Sequence, residues 1–201
     1  MALWVVLGII VLLLLYGVVA YNRFVAQRQT IRNAFADIDT ELKRRYDLIP
    51  NLVETVKGYA SHERATFEEV TRARAAAMGA QGPAQQAQAE NALTAALGRL
   101  FAVAEQYPQL RASENFQGLQ AELANTENRI QGRRTFYNDT VRVYNERTQS
   151  VPSNVVASMF NFRPEEFFEI EEASRATMEA APRVDFTGTA PEGGTPPDQP
   201  A

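Results

Sequence analysis

The sequence predicts an all-α protein with an N-terminal transmembrane helix, an elongated antiparallel bundle of three to four long helices, and a disordered C-terminal tail. Three observations predict this fold. The first 22 residues carry no charge, later apolar residues recur at helical spacing, and Gly and Pro cluster where that periodicity stops. The 201 residues, 45% of them hydrophobic, suffice for one domain with a core. We therefore expect an anchor at 1–22, a bundle at 23–181 and a tail at 182–201.

The anchor is the segment MALWVVLGIIVLLLLYGVVAYN, which has no charged side chain before Arg23. At about 1.5 Å per residue, a helix of this length covers a hydrocarbon core of about 30 Å. A signal peptide cleaved after Ala20 is the alternative, but the segment lacks a basic start and exceeds an ordinary signal core. Because Arg23, Arg28 and Arg32 follow the span, the positive-inside rule predicts an external N-terminus and a cytoplasmic bundle.

The first bundle helix contains a proline. From Ile31 onward the apolar residues stay on one helical face, with no slip in phase at Pro50. This continuity favours one helix that bends at Pro50, where the carbonyl of Tyr46 loses its backbone partner, and that ends near Met78. The alternative is a corner, with a new helix beginning at Pro50.

The stretch LKRRYDLIPN carries two adjacent arginines on this helix. Glu41 lies four residues before Arg45, the favourable order for a helical ion pair, and this neighbour points to a solvated face. The alternative is a patch that docks a partner or contacts lipid headgroups. Its candidate residues are Lys43, Arg44, Arg45, Asp47, Pro50 and Asn51.

Two more long helices are predicted, one at 84–107 and one that begins after Ser113 and ends near Gln149. The second half of the latter helix is apolar on two faces, because Phe136 and Val143 lie opposite its main apolar stripe. We expect a short C-terminal helix in VPSNVVASMFNFRPEEFF, or another subunit, to cover the second face. The predicted assembly face consists of Phe136, Val143, Phe160 and Phe162.

The charges of the chain divide between the body and the tail. The net charge of −4 argues against a nucleic-acid partner, and residues 165–201 hold nine acidic residues against two arginines. From Pro182 onward the chain is rich in proline and glycine and has few apolar anchors, which predicts disorder beyond Phe186. The absence of cysteine excludes disulfides and thiolate chemistry but does not identify a compartment.

Sequence motifs of enzymes are absent: there is no GxxxxGK[ST], no GxGxxG and no GxSxG. His62 is the single histidine, and Thr66 stands where a zinc-protease motif needs a second one, so we interpret His62 as an exposed or capping residue. The acids of PEEFFEIEE suit a divalent cation, but on a helix Glu165, Glu169 and Glu172 form a solvated face. No catalytic residue, cofactor or metal is predicted.

A Tyr-Asn pair repeats on the third long helix. Tyr137-Asn138 recurs seven residues later as Tyr144-Asn145, which places both pairs on one helical face. The favoured interpretation is core tyrosines whose hydroxyls and neighbouring amides reach a polar partner. A ladder that recognises a ligand is the alternative.

Long ordered strings of residues run between Tyr21 and Phe186. They are YNRFVAQRQTIRNAFADIDTELKRRYDLIPNLVETVKGYASHE, AENALTAALGRLFAVAEQYPQLRASENFQGLQAELANTENRI, RRTFYNDTVRVYN, FFE and RVDF. These strings resemble the LemA family of bacterial single-span membrane proteins, although Phe35 stands where the family tends to have tryptophan and FNF where a Gly-Phe pair is common. The resemblance implies an anchor in the bacterial inner membrane, a small external terminus and a helical cytoplasmic bundle. It adds no catalytic residue.

Three functions fit these observations. The first is a non-catalytic scaffold, tethered to the lipid bilayer, that self-associates as a homo-oligomer and organises partners or membrane. The second is a monomeric adaptor that binds one other membrane or envelope protein. The third and least favoured is a hydrolase that depends on carboxylates or a metal ion.

Overall fold

The computed structural model describes residues 1–168, which contain helices and no strand. The all-α prediction is confirmed. The helices are α1 Ala2–Lys57, α2 Arg64–Gly79, α3 Pro83–Ala104, α4 Pro108–Arg111, α5 Glu114–Gln149 and α6 Ser153–Met159. Residues beyond 168, with the predicted tail and the acids Glu169 and Glu172, lie outside the described part of the chain.

The two longest helices, α1 and α5, pair along most of their length. They are antiparallel, because Asn115 contacts Thr55 near one end of the pair whereas Arg147 contacts Gln27 near the other. The hairpin of α2 and α3 lies beside the second half of α1 and does not extend along its first half. The bundle therefore has four helices at one end and narrows to α1, α5 and the C-terminal segment at the other.

The helix α1 continues through Pro50, so the corner interpretation is wrong. Proline has no backbone N–H, and the carbonyl of Tyr46 consequently lacks its helical donor. The side chain of Arg74 on α2 replaces that donor: its Nε donates a 2.7 Å hydrogen bond to the Tyr46 carbonyl oxygen. A positive side chain from a neighbouring helix thus compensates for the proline.

The chain reverses eight residues after Pro50, between Lys57 and Arg64, and not at the proline itself. The prediction of one helix up to Met78 is therefore wrong. Apolar residues keep helical phase across this turn, because Val56 ends one buried stripe and Phe67 and Val70 begin the next. A straight helix would leave Phe67 and Val70 in water, whereas the reversal buries them between α1 and α3.

The remaining boundaries lie close to the predicted ones. Helix α3 ends three residues before the predicted limit of 107, and α5 begins after Ser113 and ends at Gln149 as predicted. Ser113 occupies the N-cap position, although its side chain makes no capping hydrogen bond. The predicted short C-terminal helix is α6.

The first part of α1 is long and apolar enough to cross a membrane. Residues 1–16 are all exposed, and burial begins at Ala20 and Phe24. No break separates residues 22 and 23, so the candidate span and the first bundle helix are one rod.

The contact between Arg74 and the Tyr46 carbonyl yields a first prediction. Arg74→Met should lower the unfolding free energy by about 1–2 kcal/mol, because a partly buried carbonyl loses a charged donor. In a Pro50→Ala background the same change should cost much less, since the N–H of residue 50 then bonds that carbonyl. Thermal unfolding of the full chain in detergent, followed by circular dichroism, measures both effects. Exposed Arg72 provides the control, and equal losses in the two backgrounds would contradict the mechanism.

Candidate functional site

The residues of the predicted docking patch do not share one surface. Lys43, Asp47, Pro50 and Asn51 are exposed along one row of α1. Arg44 is also at the surface, where its Nη2 lies 2.9 Å from Glu122 Oε1. Arg45 is only 4% exposed and points into the bundle, so its interpretation as part of a solvated face is wrong.

Arg45 belongs to a buried polar cluster that joins three helices. Its Nη1 donates a 2.9 Å hydrogen bond to Glu90 Oε2 on α3, and its Nη2 donates one of 2.8 Å to Thr94 Oγ1. Nη1 also lies 3.0 Å from Glu127 Oε2 on α5, an ionic contact without an aligned hydrogen bond. Arg45 therefore pairs with distant residues and not with its helical neighbour Glu41.

Tyr46 and Gln86 complete this cluster. The Tyr46 hydroxyl donates to the second carboxylate oxygen of Glu90, and Gln86 Nε2 donates to the Tyr46 hydroxyl at 2.8 Å and to the Ala77 carbonyl at 3.1 Å. Burial, reinforced by the charge of Glu90, raises the pKa of Tyr46 well above its usual value, so the hydroxyl remains a donor at neutral pH. The cluster connects α1, α3 and α5. Arg45 and Glu90 are buried in it, whereas Thr94 and Glu127 reach the surface beside a cavity of about 350 Å³.

The cluster also shows which residues the sequence interpretation missed. Gln86 and Glu90 lie in helical phase with Leu93 and Leu97 on the buried face of α3. A polar residue on an apolar stripe needs a buried partner. The phase of Gln86 and Glu90 with the two leucines was therefore the signal from which their burial could have been predicted. Nothing in the sequence identifies Arg45 as that partner, because the two residues lie 45 positions apart.

A second polar arrangement involves the Tyr-Asn repeat and the extended segment 162–168. Asn145 Nδ2 donates to the Glu165 carbonyl at 2.9 Å, and the Glu165 N–H donates to Asn145 Oδ1 at 2.9 Å. Asn138 brackets Phe168 in the same way, at 3.1 and 2.8 Å. Seven helical residues rise about 10 Å, which matches three residues of extended chain, so the spacing of the repeat fits the spacing of the bonds.

The polar partner of the repeat is therefore the backbone of the same chain. The Tyr137 hydroxyl adds a 2.8 Å hydrogen bond to the Glu166 carbonyl. Burial, with help from the charges of Glu165 and Glu166, raises the pKa of Tyr137 to about 12, so this hydroxyl is protonated at neutral pH. The Tyr144 hydroxyl has no hydrogen-bond partner within residues 1–168. Within this part of the chain, the interpretation of core tyrosines with polar partners thus holds for Tyr137, whereas the hydroxyl of Tyr144 is buried without one.

Segment 162–168 is not helical, so the expected helix is wrong for its residues Glu165 and Glu166. Phe162 stacks on Phe24 with ring centroids 4.9 Å apart, and the guanidinium of Arg134 lies 4.7 Å from the ring centre of Phe168. These aromatics and the asparagine brackets attach the segment to the face formed by α1 and α5.

The segment does not cover the second apolar face of α5. Phe136 and Val143 are 52% and 41% exposed, which contradicts the expectation that α6 and its flanks pack on them. The reason is that the asparagine brackets lie on the side of α5 that faces α1. Of the predicted assembly residues, Phe136, Val143 and Phe160 are exposed, whereas Phe162 is buried against Phe24.

The side chains that could bind a metal ion are dispersed in the described part of the chain. His62 lies exposed in the turn between α1 and α2. Within residues 1–168 no three His, Cys, Asp or Glu side chains are grouped to hold a metal ion. The metal-dependent form of the hydrolase hypothesis therefore finds no such group among these residues.

The buried cluster yields a second prediction. Arg45→Met should lower the unfolding free energy by about 3–5 kcal/mol, because Glu90 is left as an uncompensated buried charge. The double variant Arg45→Met/Glu90→Met should recover much of that loss. Arg44→Met is a matched control from the adjacent residue, and its surface pair should contribute about 0–1 kcal/mol. Equal losses for the two arginines in unfolding experiments would contradict the assignment.

The asparagine brackets yield a third prediction. Asn138→Leu and Asn145→Leu should each increase hydrogen exchange in segment 162–168, most at the amide that lost its acceptor. Exchange measured by mass spectrometry on the full chain tests this, with Asn128→Leu as the control from an exposed site of α5. Unchanged protection at Glu165 and Phe168 would show that the aromatic contacts alone hold the segment.

The chain is similar in sequence to known proteins. The LemA family model matches residues 34–186, from α1 through α6 and beyond. Magnetosome proteins MamQ 1 and MamQ 2 of Paramagnetospirillum magneticum are each 26% identical to the chain over an alignment of 175 residues, and the match covers 74% of this chain and 64% of theirs. Magnetosome protein MamQ of Magnetospirillum gryphiswaldense is 24% identical over 174 residues, with the same coverage.

The chain thus spans slightly less than two thirds of the length of these relatives. The family match covers more than half of the chain and includes both the buried cluster and the asparagine brackets. On this basis the chain belongs to the LemA family.

Proposed function

We propose that this LemA-family chain is a non-catalytic, membrane-anchored scaffold that self-associates and thereby organises partner proteins or membrane. The observation that carries the proposal is the exposed apolar face of α5, formed by Phe136 and Val143. The two residues are one heptad apart and lie on the side of α5 that its own bundle leaves open. A second copy presenting the same face would remove both side chains from water.

The geometry of α5 supports a helix-to-helix contact. Gly132 lies one turn before Phe136, and a Cβ atom placed on it would meet nothing within 4 Å. The backbone there is accessible to a side chain from a neighbouring helix. Phe160 is also exposed, at the end of the bundle nearest the candidate span, and provides a further apolar contact.

Because the chain is anchored, a small contact face is sufficient for self-association. The exposed apolar part of α1 supports insertion in the bacterial inner membrane, and the arginines that follow it support an external N-terminus with the bundle in the cytoplasm. Confinement to a surface raises the effective concentration of the bundles, so faces with weak solution affinity can assemble.

A monomeric adaptor is the second candidate. Lys43, Asp47, Pro50 and Asn51 form one exposed row on α1, opposite the buried stripe that includes Leu42 and Ile49. A polar row that the bundle does not use suits a partner protein. Such a partner would contact this row but not Arg45, which is buried in the bundle.

The fourth prediction separates the two candidates. The full chain in detergent micelles should form oligomers in mass photometry, and Phe136→Glu/Val143→Glu should shift them to monomers, because four buried charges per dimer interface disfavour contact. The matched control Asn128→Glu/Gln131→Glu adds the same charge at two exposed sites of α5 that lie about 80° and 140° around the helix from Phe136.

Two results would overturn self-association through this face. One is a wild-type chain that remains monomeric at every concentration, both in micelles and in nanodiscs. The other is an oligomer distribution that the Phe136→Glu/Val143→Glu variant leaves unchanged. A monomer that cross-links in cells mainly to one foreign membrane protein, and loses that link on Lys43→Glu/Asn51→Glu, would establish the adaptor instead.

A further inference from the structure

An apolar groove of about 640 Å³ lies where the candidate span meets α6. One wall is the part of α1 from Ile10 to Tyr21, and the other is formed by α6 and its flanks, including Val155, Met159 and Phe160. Ile10 and Tyr21 are about 16 Å apart along the helix axis. The groove therefore runs beside the span, and α6 overlaps the span lengthwise.

The composition of the α6 region suits a position at the depth of the candidate membrane span. From Val151 to Phe162 the chain contains no charged residue. Val151, Val155 and Met159 are 82%, 58% and 73% exposed, although all three are apolar. Such side chains beside an exposed apolar span are unfavourable in water and favourable in lipid.

A smaller polar cavity of about 280 Å³ adjoins the apolar groove. Tyr21 and Phe160 line both cavities, and their rings pack edge to face with centroids 4.8 Å apart. The polar cavity is also lined by Arg28, Gln29 and Arg32. Two cationic side chains thus follow directly after the apolar groove along α1.

The contacts within residues 1–168 leave N–H donors of both arginines available to bind an anion. Arg28 uses its Nε to pair with Glu165 Oε1 at 3.3 Å, and its side chain remains 42% exposed. Arg32 is exposed and has no acidic partner within 4.0 Å among residues 1–168. Helical side chains lean toward the N-terminus of their helix, which for these arginines is the direction of the groove.

We propose that the two cavities form one site for an anionic phospholipid, with an acyl chain in the apolar groove and the phosphate between Arg28 and Arg32. The inference rests on the membrane anchoring in the proposed function and does not require self-association through Phe136 and Val143. Arginine suits the phosphate because its planar fork donates two parallel hydrogen bonds.

The order of the two cavities favours a lipid over a soluble phosphate. Along α1 the apolar groove comes first and the cationic cavity second, as the acyl chains and phosphates of one leaflet succeed each other in depth. Arg28 lies about 10 Å beyond Tyr21 along the axis, close to the headgroup region that flanks a hydrocarbon core of about 30 Å. Basic cavities beside membrane helices bind anionic headgroups by this arrangement.

The fifth prediction concerns lipid selectivity. The full chain, exchanged into micelles that contain equal amounts of phosphatidylglycerol and phosphatidylcholine, should retain phosphatidylglycerol roughly tenfold better in native mass spectrometry, since each basic residue near an anionic headgroup contributes about fivefold and Glu165 offsets part of this. Arg28→Gln/Arg32→Gln should remove the preference. Arg64→Gln/Arg72→Gln, which removes the same charge from exposed sites of α2, should not.

Two further arms identify what the site recognises. Val155→Ser/Met159→Ser should reduce retention of both lipids, because it makes the groove polar while both arginines stay in place. Glycerol phosphate, which has the headgroup chemistry without an acyl chain, should not displace the lipid. Displacement by glycerol phosphate would overturn the lipid assignment in favour of a soluble phosphate ligand. Circular dichroism of each variant verifies that the bundle is folded.

The inference would be overturned by equal retention of the two lipids, or by a preference that survives Arg28→Gln/Arg32→Gln in a folded chain. Mass photometry on the same samples keeps this test apart from the proposed function. Loss of lipid preference with unchanged oligomers removes the lipid site alone. A monomer that still selects phosphatidylglycerol removes self-association alone.

Discussion

The continuity of α1 is the constraint on which the rest of the structure depends. One helix of 56 residues, about 84 Å long, carries both the exposed apolar segment and the first buried stripe of the bundle. Burial begins at Ala20 and Phe24, so packing starts where the apolar segment ends. Because no flexible joint intervenes, the depth and rotation of the segment in a membrane also fix those of the bundle. Each side chain near the junction consequently has a defined position relative to lipid.

The antiparallel helix α5 meets this rod with a core face that is unusually polar. At one end Glu127 contributes to the Arg45 cluster, and at the other end Asn138 and Asn145 bracket the C-terminal segment. Apolar side chains tolerate a shift of register, whereas a buried arginine has few positions in which its carboxylate is within reach. A shift of one helical turn would separate Arg45 from Glu127. The contact of Arg45 with Glu127 therefore favours one register of α1 against α5, and the asparagine brackets fix the C-terminal segment against α5.

Periodicity in the sequence predicted the elements that local residues determine, and it failed where distant contacts decide. The boundaries of α5 follow from its stripe and from Ser113, and both were predictable. The turn after Lys57 was missed because Val56 and Phe67 keep helical phase through it, so one stripe serves two antiparallel helices. The burial of Arg45 was missed because its partner Glu90 lies on another helix. The side of α5 that the C-terminal segment covers was missed because the Tyr-Asn repeat indicates a polar partner but does not identify which backbone supplies it.

The two ends of the bundle differ in the residues that they expose. At the end with α2 and α3, Arg45 is buried against Glu90, and Arg74 supplies the hydrogen-bond donor that Pro50 lacks. The narrow end exposes Phe136 and Val143, and there Arg28 and Arg32 lie beside an apolar groove. Tyr144, next to Val143, packs on Phe24 just after the apolar segment, and Tyr137, next to Phe136, packs on Phe35 farther along α1. These features therefore lie along the first half of the bundle part of α1. Contacts between anchored copies through that half would form close to the bilayer, where lateral confinement favours them most.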